Sequence, residues 1–253
     1  MSRIPTATGD QNKPRIERDE VLSFFEQRAE KIERLGPVRA VIYQDKHPDL
    51  AERRDLAEKQ RIRPLLALDG TQRLLDVGCG TGRWADEVAG LCTHYHGIDI
   101  SEGLIAYARE HFRDKHNCRF SVAPVDDFSL ESIGESQPFD RVLCAGVLIY
   151  LNDDEALDAL RCMEHSMARQ ARVLFREPMG LEQRLTIKAH YSDDLDQTYN
   201  AIYRTQGEIE ALMQPALIEG GFRIIDGGDV FEDDGLNNRA ETRQRWILAE
   251  RSA

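Results

Sequence analysis

Leu74-Leu75-Asp76-Val77-Gly78-Cys79-Gly80-Thr81-Gly82 is the stretch that decides the fold of this chain. Its apolar start, Leu74, Leu75 and Val77, suits a strand buried in a parallel sheet, and from Gly82 the sequence takes up a helical pattern. Between strand and helix, glycine stands at every second position. Gly78, Gly80 and Gly82 let the chain bend sharply and let a ligand approach without Cβ atoms in the way. The helix that follows offers unpaired N–H groups at its start. A dinucleotide fingerprint would need glycine at the first, third and sixth positions of such a loop, and here the sixth is Arg83.

Working outward, Tyr95-His96-Gly97-Ile98-Asp99 reads as a second strand ending in a carboxylate 23 residues after Asp76. A carboxylate at that tip can accept two hydrogen bonds from vicinal ribose hydroxyls, which nicotinamide and S-adenosyl cofactors both carry. Asp99 could also serve as a helix N-cap, although Ser101 already suits that place. The alternation Asp-x-Gly-x-Gly-x-Gly followed by this acid resembles the first two motifs of the class I S-adenosylmethionine-dependent methyltransferases.

The resemblance runs from Arg73 to Ala249. It implies an α/β, Rossmann-like fold with a mostly parallel seven-stranded sheet, helices on both faces and the last strand antiparallel. It further implies that S-adenosyl-L-methionine is the cofactor and S-adenosyl-L-homocysteine the product. Asp76, Gly78, Cys79, Gly80 and Gly82 would surround that cofactor, Asp99 would take its ribose and Ile100 would lie against its adenine. Arg119-Phe120-Ser121-Val122 reads as the third strand, and Pro124 stands where relatives place an adenine-binding aspartate. That contact is therefore expected to move to the Val125 backbone and Asp126, which could equally be a solvated loop acid. Gly146 and Val147, past the fourth strand, would carry the methionine portion, and Tyr43 would close over the cofactor as a lid aromatic.

The chain has 253 residues and a formal net charge of −12. That length suits one α/β domain with additions. The acidic balance argues against a nucleic-acid partner, which needs clustered basic surface. Basic residues mostly alternate with acids, as in Glu52-Arg53-Arg54-Asp55, the pattern of a solvated helix face. The five cysteines show no metal-ligand spacing, no metal site is expected, and their odd number fits a reducing cytoplasm. Nothing approaches the length of a membrane span. A small-molecule substrate and a monomeric or homodimeric state are expected.

Three divisions are expected along the chain: a disordered polar tail at 1–13, an N-terminal helical lid at 14–69 and the core at 70–253. Apolar spacing predicts one helix from Ile16 to Leu35, ending before Gly36-Pro37, and another from Asp49 to about Arg63. Strands are expected near 73–77, 94–99, 119–123, 141–146, 171–176, 222–227 and 244–250. Helices are expected at 83–90, 102–112, 153–168 and 206–219. Such alternation predicts a largely parallel sheet covered on both faces. Residues 178–205 are too many for an ordinary connection, so a substrate-covering insertion, with a function or helices of its own, is expected there.

Methyl transfer from a sulfonium is an in-line displacement, so alignment and exclusion of water come first, with a base where the acceptor holds its proton firmly. The fifth strand ends Arg176-Glu177-Pro178, and a charged pair at the exit of a buried strand is costly unless paired or used. Alternation puts Arg176 and Glu177 on opposite faces, so at most one faces a pocket. Glu177 is the leading acid/base or ammonium-binding candidate, or else the partner of an arginine. His190 is the imidazole candidate because it lies in the insertion, whereas His94, His96, His111 and His116 look structural. Tyr150 would face the acceptor or pack at a strand–helix junction. Arg176, Arg184, Tyr191, Tyr199, Tyr203 and Arg204 are candidates for holding substrate, the arginines 184 and 204 by clamping a carboxylate or phosphate or by tying down the insertion.

The favoured reading is a methyltransferase acting on nitrogen or oxygen of a sugar, amino acid or specialised metabolite, with carbon methylation of a small 2-oxo acid as its variant. A nicotinamide-dependent oxidoreductase would need the other glycine spacing. A non-catalytic S-adenosylmethionine binder would not need the aromatic insertion.

Overall fold

The computed structural model describes residues 3–7, 9–42, 45, 47–193, 195–237 and 239–252. Tyr43 lies outside the described residues. The chain begins with β1 (Arg3–Thr6), α1 (Arg18–Glu30), α2 (Ile32–Leu35), α3 (Pro37–Ile42) and α4 (Pro48–Ile62). The core follows as β2 (Arg73–Val77), α5 (Ala85–Val88), β3 (His94–Asp99), α6 (Glu102–His111), β4 (Cys118–Val122), β5 (Phe139–Ala145), α7 (Asp153–Ser166) and β6 (Met167–Gly180). It continues through β7 (Arg184–Ser192), β8 (Gln197–Tyr203), α8 (Gln206–Met213), β9 (Arg223–Asp229) and β10 (Thr242–Arg251).

The large sheet has the order β4-β3-β2-β5-β6-β10-β9. Strands β2 to β6 pair in parallel, and β10 runs antiparallel between β6 and β9. The fold is therefore Rossmann-like, seven strands with the last reversed. The chain leaves β2 toward β3 and β4 on one side and returns to β5 and β6 on the other. A crevice opens at that reversal, outside the carboxyl ends of the strands.

Alternation along each strand feeds two cores. Leu75 and Val77 join Phe139, Leu160 and Phe175 under α7 and α8, whereas Leu74 joins Tyr95, Ile105 and Trp84 under α5 and α6. Caps set the helix starts. Ser101 Oγ accepts from Leu104 N at 3.1 Å before α6, and Thr205 with Glu208 forms a capping box before α8. Glu155 Oε2 accepts from Asn152 N at 2.7 Å at the start of α7.

Several local expectations are corrected. Residues 3–6, assigned to a disordered tail, form β1, because Arg3–Thr6 pair antiparallel with Arg184–Ile187. The helix expected from 16 to 35 breaks after Glu30, and the second piece ends at Gly36, whose φ of 83° continues no helix. Only Ala85–Val88 of the expected 83–90 helix is α-helical. Helix 206–219 is α-helical to Met213 and then widens into a π-turn over Gln214–Ile218, where Pro215 lacks an N–H to donate.

The described residues of 178–205 hold no helix. They continue β6 and then form β7 and β8, which with β1 make a separate antiparallel sheet of three strands. Alternating and β-branched side chains such as Leu185, Ile187, Tyr199 and Ile202 suit a half-buried strand. This small sheet packs through those residues against Val21 and Phe24 of α1 and against Tyr150. It covers the carboxyl end of the large sheet together with the N-terminal helices.

Candidate active site

Beneath that cover lies a cavity of about 670 Å³. Its floor is the glycine loop. Gly78 N and Cys79 N donate to Ile98 O at 2.8 and 3.0 Å, which binds the loop to the neighbouring strand. Gly78 has φ of 71° and Gly80 of 56°, and a Cβ on Gly78 would stand 2.3 Å from Val147 Cγ2. Glycine is thus required here by both conformation and space.

Asp99 closes the other side of the loop. Its Oδ2 accepts from Gly80 N at 2.9 Å and its Oδ1 from Ser101 N at 3.0 Å. Burial pushes the carboxyl up from its usual range, and the Ser101 and Gly80 amides oppose that shift. Among the described residues no cation pairs with it, although it lines the cavity. A buried acceptor with no counter-charge beside a cavity fits a ligand that brings hydroxyl donors.

The cavity brings together Gly78, Cys79, Gly80, Asp99, Ile100, Val125, Asp126, Gly146 and Val147 of the expected cofactor residues. Asp126 receives both Nη atoms of Arg18, at 2.6 and 2.9 Å. Asp76 and Gly82 are not among the lining residues. Asp76 accepts the Tyr95 O–H beneath the loop, and burial raises it to about 7. A Cβ on Gly82 would stand 2.7 Å from Phe112 Cε2, so that glycine serves packing.

Among the candidates for chemistry, Tyr150 lines the cavity and meets Phe25 edge-on at 5.0 Å. Glu177 does not line it. Alternation turns Arg176 to the cavity and Glu177 away from it, fully buried. Its Oε1 accepts from Val147 N at 2.9 Å and Leu148 N at 3.1 Å, and burial raises the carboxyl to about 7. Glu177 therefore shapes the cavity wall through two backbone amides. His190 also lies outside the lining, with its ring 5.7 Å from Tyr199, and burial and Arg239 lower its pKa.

The substrate candidates divide in the same way. Arg176, Tyr199 and Tyr203 line the cavity. Arg184 and Arg204 are buried elsewhere, both on Asp153 at 2.9 and 2.8 Å, and Arg204 also donates to Leu148 O and Leu151 O. They tie the insertion to the start of α7. Tyr191 is 54% exposed and donates to Asp196. His94 and His96 do not reach the cavity. They converge on Glu135 Oε1 at 2.8 and 2.7 Å, and the opposite oxygen takes Arg73.

Sequence reading missed several liners: His47, Arg54 and Glu58, and on the β9–β10 connection Arg239. Glu58 is bracketed by Arg83 and by Arg176 at 2.7 Å. Burial would raise its carboxyl, but Arg176 and Arg83 together hold it below the usual range. Arg83, the side chain at the loop's sixth position, thereby fastens α4 over the cavity. Helical spacing was the available signal, since Arg54 and Glu58 share one face of α4.

Residues 74–170 match a family model described as a methyltransferase domain. Those residues therefore carry a methyltransferase domain, set in a fold of the class I S-adenosylmethionine-dependent methyltransferase type. Over 83 residues it is 34% identical to the ubiquinone biosynthesis O-methyltransferase of Aromatoleum aromaticum, a match covering 32% of this chain and 34% of that protein. Among solved structures it is similar to phosphoethanolamine N-methyltransferase 1 of Haemonchus contortus, solved with phosphoethanolamine and S-adenosylhomocysteine. The TM-score is 0.70 at 15% identity, with 93% of this chain and 49% of that one covered. The chain thus spans about a third of the curated relative's length and half of the solved one's. The cyclase SpnF is similar at a TM-score of 0.62 and 16% identity, covering 92% of this chain and 97% of that one. The fold alone therefore does not name the reaction. No helix among the described residues is long and apolar enough to cross a membrane.

Proposed function

We propose that the methyltransferase moves a methyl group from S-adenosylmethionine to a nitrogen or oxygen atom of a small-molecule acceptor. The observation that carries this reading is the unpaired, buried Asp99 carboxylate on a glycine loop at the floor of a covered cavity. Both Asp99 oxygens keep lone pairs beyond their backbone amide donors, enough to accept from a ribose diol. Ile100 and Val125 offer apolar contact for a flat base, and the Gly146–Val147 turn leaves backbone groups beside the amino-acid portion. When bound, the cofactor supplies a methyl group on a positively charged sulfur, an electrophile that needs no further activation.

The chain's own work is then alignment. Helix α1 and the small sheet exclude water, and the phenols of Tyr150, Tyr199 and Tyr203 offer orienting hydrogen bonds. Glu177, the carboxylate considered as a base, lies outside the cavity. That favours acceptors that release a proton readily, such as a neutral amine or an acidic hydroxyl, over an unactivated carbon.

Calorimetry with S-adenosylmethionine, S-adenosylhomocysteine and NADH tests the reading. Binding of the first two alone is expected, and Asp99→Ala is expected to abolish it. NADH binding without them would overturn it.

A further inference from the structure

The cavity holds more guanidinium than carboxylate to pair with it. Arg3 pairs with Glu241 at 2.6 Å, Arg18 with Asp126 at 2.6 Å, and Arg83 and Arg176 share Glu58. Arg54 and Arg239 are different. Among the described residues neither has a carboxylate within ion-pairing distance, yet both line the cavity.

Arg54, on α4, is only 6% exposed. Its Nε donates to Leu236 O at 2.7 Å, and its buried Nη1 has no hydrogen-bond partner. Burial lowers its pKa to about 10, the mark of a cation without counter-charge. Arg239 donates to the Tyr199 hydroxyl and, at 3.4 Å, to that of Tyr203, and its guanidinium carbon lies 5.8 and 5.5 Å from the two ring centroids. Tyr203 and Tyr199 also hydrogen-bond one another, and burial together with that bond raises the Tyr203 pKa so that its proton stays, which leaves the linked pair one O–H to give to a ligand. Leu236 and Arg239 belong to one connection, 230–241, so that loop gathers both cations and both phenols at the cavity.

We infer that Arg54 and Arg239, with the Tyr199 and Tyr203 hydroxyls, form a subsite for an anionic group of the methyl acceptor, a carboxylate or a phosphate. This rests on the methyl-transfer reading above. A buried guanidinium without counter-charge, as Arg54 is, is expensive to keep, and with the half-buried Arg239 beside the same cavity it gains most from a ligand that brings negative charge. Tyr199 and Tyr203 belong to the covering sheet rather than to the glycine loop, which places their end of the subsite on the acceptor side.

The test uses the full chain saturated with S-adenosylhomocysteine. Sodium phosphate and sodium acetate are titrated at constant ionic strength against chloride, and Trp84, which lines the cavity, reports by fluorescence. Saturable binding of at least one anion is expected, and the tighter one identifies the group. Arg54→Met and Arg239→Met are each expected to weaken it at least tenfold and to change S-adenosylhomocysteine affinity less than twofold. Arg54→Met is expected to melt at or above the wild-type temperature, because methionine removes an unpaired buried charge; Arg54→Lys checks that charge alone does not restore full affinity.

Binding of neither anion to a chain that does bind S-adenosylhomocysteine would overturn the subsite and leave the methyl-transfer reading standing. Displacement of the anion by S-adenosylhomocysteine, or loss of its affinity in the methionine variants, would also overturn the subsite, because the arginines would then serve the cofactor's own carboxylate. A wild-type chain that does not bind S-adenosylhomocysteine would remove the reading and the subsite together.

Discussion

Replacing Glu177 with glutamine should change how stability depends on pH. The Glu177 side chain is fully buried, its Oε1 holds the Val147 and Leu148 amides, and burial raises its pKa to about 7 from an ordinary 4.5. Between those two pH values the folded protein holds a proton that the unfolded chain has released. Stability contributed by the group is therefore present below 4.5 and is lost as pH rises to about 7. At about 1.4 kcal/mol per pH unit this loss is about 3 kcal/mol for the wild type. Glutamine keeps an acceptor for the two amides and does not titrate. The Glu177→Gln chain should therefore gain about 3 kcal/mol relative to wild type between pH 4.5 and pH 8. Any fixed cost of placing an amide N–H where Oε2 has no partner drops out of that difference. Urea unfolding at half-unit pH steps measures it. A difference between the two chains that stays constant from pH 4.5 to 8 would refute the reasoning, because the buried carboxyl would then titrate normally. Turnover of the glutamine variant should stay near wild type, and a large loss would return Glu177 to the chemistry.

Asp99→Asn should weaken S-adenosylhomocysteine binding by about 100-fold, the loss of roughly 3 kcal/mol in charge-assisted hydrogen bonds, as read by calorimetry. Gly78→Ala should destabilise the fold by about 1–3 kcal/mol in denaturant titrations, because its positive φ and the 2.3 Å approach to Val147 leave no place for a methyl group. Glu135 is held down to about 2: burial opposes the shift, but His96, His94 and Arg73 outweigh it. Its contribution is present above pH 4.5 and lost as pH falls toward 2, so Glu135→Gln should flatten the acid limb of thermal unfolding.

The parallel sheet was legible because its signals are local. Leu74 to Gly82 carries apolar run, turn and helix start within nine residues, and Asp99 follows at the spacing of a strand–helix–strand unit. The small sheet was less legible. Tyr199-Asn200-Ala201-Ile202-Tyr203 has strand character, but nothing near it names Arg3–Thr6 as part of its sheet, a pairing across about 180 residues. The helix expected at 16–35 ends before Gly36 as its sequence signals, but it is interrupted at Lys31, between Glu30 and Ile32, a local turn that apolar periodicity does not register.

By itself the sequence determined the doubly wound core, the glycine loop and the acid beside it, since strand alternation and glycine freedom act over a few residues. It also determined that Arg176 and Glu177 oppose one another, because side chains on a strand alternate. Which of the two meets the cavity was decided only by tertiary structure, through the layers packed on each face of the sheet. The same holds for the charges. Most arginines of the site find carboxylates far away in the chain, while Arg54 and Arg239 are brought to the cavity without one. Ion pairing depends on distances set by packing between remote segments, and those distances are not written in any local stretch of sequence.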